Sequence, residues 1–314
     1  MAVGIVRTGA YLPLDVVDND RIAEWTGTTT NWVRERTGIN TRRYANSAEL
    51  TSDLAYAAVI DLLGPDRENW PRIGGIIVAT STGDQPQPAT AAALQHKLGL
   101  NGIPAFDLNS VCVGYLFALV VAAGLLERGD ERDGVALVVG ADIYSRIMNR
   151  ADRKTVSLFG DGAGATLVGP VPHGYGLHAS RLVTDGGLRS LVEVPAGGQL
   201  FRMDGRAVRD YVLTTLPKLI AEALGESGFA LADMDRIILH QANTRLLETC
   251  IRELGMDPTR VPLTAPRYGN TGAASIPITL HSSHLERPLQ RGERILLAGV
   301  GGGMSAAAAV LTWY

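Results

Sequence analysis

The sequence predicts an α/β chain made of two strand–helix halves, residues 1–170 and 171–314. Two observations carry this. Uncharged runs of strand length, such as Ile73 to Thr82, Val135 to Asp142 and Ile237 to Leu239, alternate with segments of helical period. In each half a reactive-looking polar group stands just after a strand, Cys112 after Ala105 to Leu108 and His240 after Ile237 to Leu239. Strand ends are where layered α/β folds put their sites.

In the first half, Gly4 to Tyr11 reads as a strand ended by Leu12-Pro13. Ile22 to Trp25 and Thr30 to Thr37 read as short helices, and Trp32 and Arg36, four apart, share one face of the second. That pair is either an ordinary surface pair or an adenine-stacking ring beside a phosphate-binding guanidinium. Leu50 to Leu63 has helical period, Ile73 to Thr82 reads as a buried strand, and a loop broken by Pro86 and Pro88 leads to a helix from Thr90 to Leu98. Phe159-Gly160-Asp161-Gly162-Ala163-Gly164-Ala165 lacks the Lys-Ser/Thr and the helix that a phosphate loop needs, so it reads as a tight structural turn.

In the second half, Leu177 to Val183 reads as a strand and Val208 to Leu224 as a long helix. Leu246 to Leu254 is helical, with Cys250 among Leu247, Ile251 and Leu254 as a core residue. A glycine-rich loop, Tyr268 to Ser275, opens a helix that tolerates Pro277 only in its first turn. Ile295 to Met304 and Ala307 to Trp313 close the chain as apolar strands around a Gly301-Gly302-Gly303 turn.

The composition excludes several classes. With 314 residues, 46% of them hydrophobic, the chain can bury a sizeable core. A net charge of −3 gives no global basic field, so no nucleic-acid partner is expected. The two cysteines lie far apart and outside any metal spacing, which indicates neither a disulfide framework nor a zinc site. The apolar windows near residues 111–126 and 295–311 are too short or too glycine-broken to span a bilayer, and the first residues lack a secretory pattern. The expectation is a cytoplasmic protein with no membrane partner.

After Phe106-Asp107-Leu108-Asn109-Ser110-Val111-Cys112 the chain runs almost without charge to Leu126, then closes with Glu127, Arg128 and Gly129. This reads as a buried helix whose start Asn109 or Ser110 can cap. Cys112 then sits in the first turn, where the helix dipole favours the thiolate, the reactive form of the group. The alternative is a small core residue, since free cysteine is commonly buried. A cysteine nucleophile needs a group that manages protons, usually His, and His240 ends a strand. Asn270, in the glycine-rich loop, offers an amide donor to an oxyanion without competing for a proton. The N–H groups of Cys112 and Gly302 complete a possible oxyanion hole.

Val111-Cys112-Val113-Gly114-Tyr115, His240-Gln241-Ala242-Asn243 and Tyr268-Gly269-Asn270-Thr271-Gly272 through Pro277 resemble the three active-site motifs of the ketoacyl synthase III family of the thiolase superfamily. Thr8 to Pro13, Trp32 through Ile39, Phe159 to Gly164 and Gly301-Gly302-Gly303 match it in the same order, so the resemblance covers the whole chain. It implies a five-layered αβαβα sandwich and a homodimer. It implies that Cys112 takes an acyl group from acyl-CoA. His240 and Asn270 would bind the thioester carbonyl of malonyl-acyl carrier protein during decarboxylative condensation, with no cofactor. Trp32, Arg36 and Arg153 match the positions around the CoA adenine, and Gly205, Asn243 and Arg245 those along the pantetheine tunnel and its mouth. Arg206, Arg209, Arg245 and Arg252 form a candidate basic patch for an acidic carrier protein, with an ordinary solvated face as the alternative.

The chain departs from the family pattern at Val111, Val113, Val300, Met304 and Gln87, and in a shorter stretch between Asp185 and Met203. These positions bear on the acyl pocket and point to a specialised member, serving a polyketide or other secondary pathway. The runner-up is a non-condensing acyltransferase that passes the acyl group from Cys112 to a hydroxyl, an amine or a carrier protein.

Overall fold

The computed structural model describes residues 2–128, 134–198 and 200–314; Gly129, expected to close the buried helix, lies outside them. The first half contains β1 (Ala2–Tyr11), β2 (Asp15–Asp18), α1 (Asn19–Thr26), α2 (Thr30–Thr37), β3 (Thr41–Tyr44) and α3 (Thr51–Leu63). It continues with β4 (Ile73–Ala79), α4 (Thr90–Lys97), β5 (Ala105–Leu108), α5 (Gly114–Arg128), β6 (Val135–Asp142) and β7 (Gly162–Val171). The second half contains β8 (Gly176–Thr184), β9 (Val192–Glu193), β10 (Arg202–Met203), α6 (Gly205–Ser227) and β11 (Arg236–Leu239). It ends with α7 (Thr244–Glu253), α8 (Ala265–Tyr268), α9 (Ser275–Glu286), β12 (Arg294–Gly301) and β13 (Ser305–Thr312).

Two mixed sheets organise these elements. One has the order β1-β7-β6-β4-β5, the other β11-β12-β13-β8. Alternation along each strand sends its side chains to two different cores. On β4, Ile77 and Ala79 face the middle of the molecule while Ile76 and Val78 face outward onto α3 and α4. On β13, Ala307, Ala309 and Leu311 face the middle while Ala306, Ala308 and Val310 pack under α6 and α7. Between the sheets lie α5 and α9, and α5 is apolar on both sheet-facing sides because both are covered, while Val121 and Leu125 on a third side stay exposed. The layers are therefore helix, sheet, helix, sheet, helix, the five-layered thiolase-like sandwich expected from the sequence.

Local chemistry explains where the observed elements differ from expectation. α6 is longer than the Val208–Leu224 expected: the Asp204 carboxylate accepts from the N–H groups of Arg206 and Ala207, and Gly228 ends the helix at φ 74°. β4 stops at Ala79, because Thr80, Ser81 and Thr82 turn aside to a buried carboxylate described below. The stretch Phe159 to Gly164 is not a tight turn. It runs extended beside the Asn270 loop, and a Cβ on Gly160 would lie 2.4 Å from the Tyr268 carbonyl oxygen, so the glycine permits close approach. The β2–β3 ribbon, too short to show a period, was not anticipated.

Candidate active site

Cys112 lies in a short 3₁₀ turn, Val111–Val113, that precedes α5 rather than in the first turn of the helix itself. Asn109 caps that turn, its Oδ1 accepting from the Val111 N–H at 3.1 Å, and Ser110 makes no such bond. Val111 sits at φ 47°, a left-handed conformation that a β-branched side chain adopts only under strain. The turn is held against the end of β12. A Cβ on Gly301 would come within 2.9 Å of the Cys112 nitrogen, so this glycine sets how closely the two halves meet.

His240 follows β11 directly, and its backbone N–H donates to the Ala298 carbonyl on β12 at 2.8 Å. Asn270 belongs to the second half but is pinned by the first: its N–H donates to the Leu158 oxygen at 2.8 Å and its carbonyl accepts from the Gly160 N–H at 3.0 Å. The Asn270 Oδ1 accepts from the Gly272 N–H at 3.0 Å, which leaves Nδ2 as its free donor end. Cys112, His240 and Asn270 are 7%, 7% and 5% exposed, and all three line one cavity of about 1090 Å³. Three segments, one from the first half and two from the second, thus converge on one pocket.

The electrostatics overturn one expectation. Burial pushes the Cys112 thiol up to about 12, with the nearby Asp142 carboxylate adding to the shift. Hydrogen bonds from the Tyr144 hydroxyl and from the N–H groups of Cys112 and Gly302 act the other way without overcoming it. The resting sulfur is therefore a thiol: desolvation of an anion outweighs the helix dipole. Burial also pushes His240 down to about 4, so its imidazole is neutral at physiological pH, and its Nδ1 has no partner among the described residues. The N–H groups acting on the sulfur, from Cys112 and Gly302, are the pair that the sequence offers as a candidate oxyanion hole.

At the cavity mouth stand Trp32, Arg36, Gly205, Asn243 and Arg245. The Arg153 guanidinium lies 4.9 Å over the Trp32 ring. Asn243 also caps α7, its Oδ1 accepting from the Leu246 N–H at 2.9 Å. Arg245 is already engaged: it donates to the Glu35 carbonyl at 3.1 Å and pairs with Glu248 at 3.0 Å, tying α2 to α7. Arg206 and Arg209 line the mouth as expected, but Arg252 does not, and borders a separate shallow pocket instead. Lys154 and Arg202, which sequence reasoning missed, also line the mouth, where among the described residues Glu193 and Asp204 are the only carboxylates. Of the departures from the family pattern, Val300 and the stretch between Asp185 and Met203, through Ser190, Val192, Glu193, Phe201 and Arg202, line the cavity. Val113 is buried against α5 and both sheets, Met304 packs under α6, and Gln87 is exposed on its loop.

Comparison with known proteins agrees with this geometry. Residues 106–186 match the family described as 3-oxoacyl-[acyl-carrier-protein (ACP)] synthase III, and residues 224–313 match its C-terminal part. The acetoacetyl CoA synthase NphT7 of Streptomyces sp. (strain CL190) is 46% identical over 98% of both chains. The chain belongs to the 3-oxoacyl-[acyl-carrier-protein] synthase III family. The beta-ketoacyl-[acyl-carrier-protein] synthase III of Deinococcus deserti is 38% identical over 100% of this chain and 92% of its own. Among solved structures, the Thermus thermophilus synthase III has a TM-score of 0.93 at 36% identity, covering 99% of each chain. The priming β-ketosynthase of the R1128 polyketide pathway has a TM-score of 0.92 at 29% identity, covering 99% of this chain and 96% of its own.

Within this synthase III frame, Asp142, Tyr144 and Ser81 are the site groups that sequence reasoning passed over. Their signals were present. Asp142 is an ionisable residue ending an otherwise uncharged buried strand, and Thr80-Ser81-Thr82 are three hydroxyls ending its neighbour.

Proposed function

We propose that Cys112 takes an acyl group from acyl-CoA and that the chain then condenses it with a malonyl thioester, releasing carbon dioxide and a 3-oxoacyl thioester. The observation that carries this reading is the convergence of Cys112, His240 and Asn270 on one cavity whose mouth is lined by an aromatic ring and guanidinium groups. In the first step the sulfur attacks the thioester carbonyl. The N–H groups of Cys112 and Gly302 stabilise the oxyanion, and the bond to CoA breaks. In the second, the malonyl carboxylate leaves as carbon dioxide, and its electron pair becomes an enolate. The neutral His240 and the Asn270 amide donate to the enolate oxygen, and a neutral imidazole can donate without first giving up charge. The carbanion attacks the acyl-Cys112, and the sulfur departs. Every role is filled by protein groups, so the reading needs no metal or cofactor.

Trp32, Arg36 and Arg153 are positioned to hold a nucleotide ring and its phosphates, with Gly205, Asn243 and Arg245 along the pantetheine arm. Arg206 and Arg209, joined by Lys154 and Arg202, offer a cationic rim for an acidic carrier protein. A second reading concerns only the carrier of the malonyl group: the 46% identical relative is named for a CoA-borne product, which favours malonyl-CoA as extender. The priming ketosynthase among the structural relatives supports a role at the start of a polyketide or fatty-acid-like chain. The non-condensing alternative is disfavoured, because these relatives are named as condensing synthases and Asn270 is in place.

The reading includes a cytoplasmic homodimer of two related halves, 1–170 and 171–314. Two free thiols suit a reducing compartment, and among the described residues no helix is long and apolar enough to cross a membrane. β5 pairs on one side only, leaving a sheet edge that a second copy can extend. Intact-mass spectrometry with a panel of acyl-CoAs, with and without malonyl-CoA or malonyl-carrier protein, tests the proposal. Loading of Cys112 followed by discharge to a 3-oxoacyl product supports it. Loading that discharges only to water, hydroxyls or amines overturns condensation.

A further inference from the structure

A thiol held near 12 by burial poses a problem that the nucleophile assignment does not solve: something must take its proton inside a dry pocket. The cavity-lining His240 is poorly suited, since its own burial resists a positive charge. On the other side of the sulfur lies a continuous row of polar groups. The Tyr144 hydroxyl and the Cys112 sulfur are near enough to shift each other's ionisation. The hydroxyl lies 3.1 Å from the Ser81 Oγ, which in turn donates to the Asp142 Oδ1 at 3.1 Å. Asp142 is completely buried yet well solvated by protein. Its Oδ1 also accepts from Thr80 Oγ1 at 3.2 Å, Ser81 N–H at 2.9 Å and Thr82 Oγ1 at 2.8 Å, and its Oδ2 from Ala273 N–H at 2.8 Å. Tyr144 is fixed by stacking on Phe159, with ring centroids 4.5 Å apart.

We infer that Asp142 is the base for Cys112, receiving the thiol proton through the Tyr144 and Ser81 hydroxyls. Ser81 gives its only proton to Asp142, so Tyr144 must donate to Ser81 and accept from the thiol. Each group then passes one proton onward: Ser81 O–H to Asp142, Tyr144 O–H to Ser81, Cys112 S–H to Tyr144. The result is a thiolate accepting from Tyr144 and a neutral Asp142 carboxyl donating to Ser81. No charge is created, since the anion moves from carboxylate to sulfur. Burial, which raises Asp142 above the usual carboxylate range, supports its taking the proton. When the carbanion later displaces Cys112, the same row returns the proton to the sulfur. The departing CoA thiolate of the loading step takes its proton from water. This inference rests on Cys112 being the nucleophile.

The groups that titrate around the sulfur are Asp142 and Tyr144 on one side and His240 on the cavity side. Internal transfer makes the thiolate fraction independent of pH while the pair shares one proton. Cys250, pushed up to about 11 by burial and also lining the cavity, is the built-in reference, because among the described residues no hydroxyl row joins it to a buried carboxylate.

The test is iodoacetamide alkylation followed by peptide mapping of both cysteines from pH 6 to 9, with acyl-CoA loading measured alongside. Cys112 is expected to react at a nearly constant rate, while Cys250 speeds up about tenfold per pH unit. Tyr144→Phe keeps the stacked ring and removes the hydroxyl. It should slow Cys112 about ten- to a hundredfold at pH 7 and give it a rate that climbs with pH. Ser81→Ala should do the same to within about threefold. A Cys112 rate that already climbs tenfold per pH unit in the unaltered protein overturns the inference, as does a Tyr144→Phe or Ser81→Ala profile identical to it. Alkylation reads the sulfur whether or not acyl-CoA loads, so failure of loading alone counts against the proposed function and not against the proton path.

Discussion

The floor and the mouth of the cavity are built on opposite principles. At the floor, Cys112, His240, Asn270 and Asp142 are all buried, and each is fixed by backbone bonds or by several donors. At the mouth, Arg36, Arg206 and Arg209 stand in solvent on helix surfaces. In the dry floor every charge is expensive, so protonation states are set by what packs nearby. At the wet mouth charges are cheap and screened, so they steer and hold a ligand without tuning it. The contrast says that floor substitutions act on chemistry and stability, and mouth substitutions on binding.

Substitutions at the two ends can break that contrast, and the largest effects belong to the floor. Cys112→Ser should reduce acyl loading about a thousandfold or more, read by intact mass, because an alcohol at this site is far harder to ionise than a thiol. Asn270→Ala should cut 3-oxoacyl formation about a hundredfold while leaving loading within about threefold, since one oxyanion donor is worth that much. Loss of loading alone would reverse the division of labour between the two motifs.

His240 sets a pH effect with a definite sign. Its folded-state value, about 4, lies below the unfolded value near 6.5, so the unfolded chain binds the extra proton. The stability it contributes is fully present above pH 6.5 and is lost as pH falls through 4, amounting to about 3 kcal/mol. Thermal melts from pH 7 to 4.5 should fall less steeply for His240→Gln than for the unaltered protein. Gly272→Ala places a Cβ 2.3 Å from the Asp142 Oδ2 and 2.5 Å from the Tyr144 ring. A loss of about 2 kcal/mol in denaturant titration is expected, together with slower condensation. The smallest effect lies at the mouth. Trp32→Ala should raise KM for acyl-CoA about fivefold with kcat unchanged, as removal of a cation–π partner predicts. A kcat change of similar size there would dissolve the distinction between floor and mouth.

Much of this was legible in the chain. The alternating apolar runs carried the layers, because period 2 and period 3.6 are local properties that survive without knowledge of the fold. Glycine and polar residues at element ends marked the Cys112, His240 and Asn270 segments. Less visible was which cations share a rim. Arg252 sits only seven positions beyond Arg245, yet α7 carries it to another pocket, while Lys154 and Arg202 arrive from elsewhere.

By itself the sequence determined the α/β layering and named Cys112, His240 and Asn270 as candidates, since each stands in a pattern within a short window. Only the tertiary structure decided their electrical state. Burial turns Cys112 into a thiol and His240 into a neutral ring, and it brings Tyr144, Ser81 and Asp142 into one row behind the sulfur. Desolvation and hydrogen bonding are sums over neighbours from distant parts of the chain, and no local pattern encodes those sums.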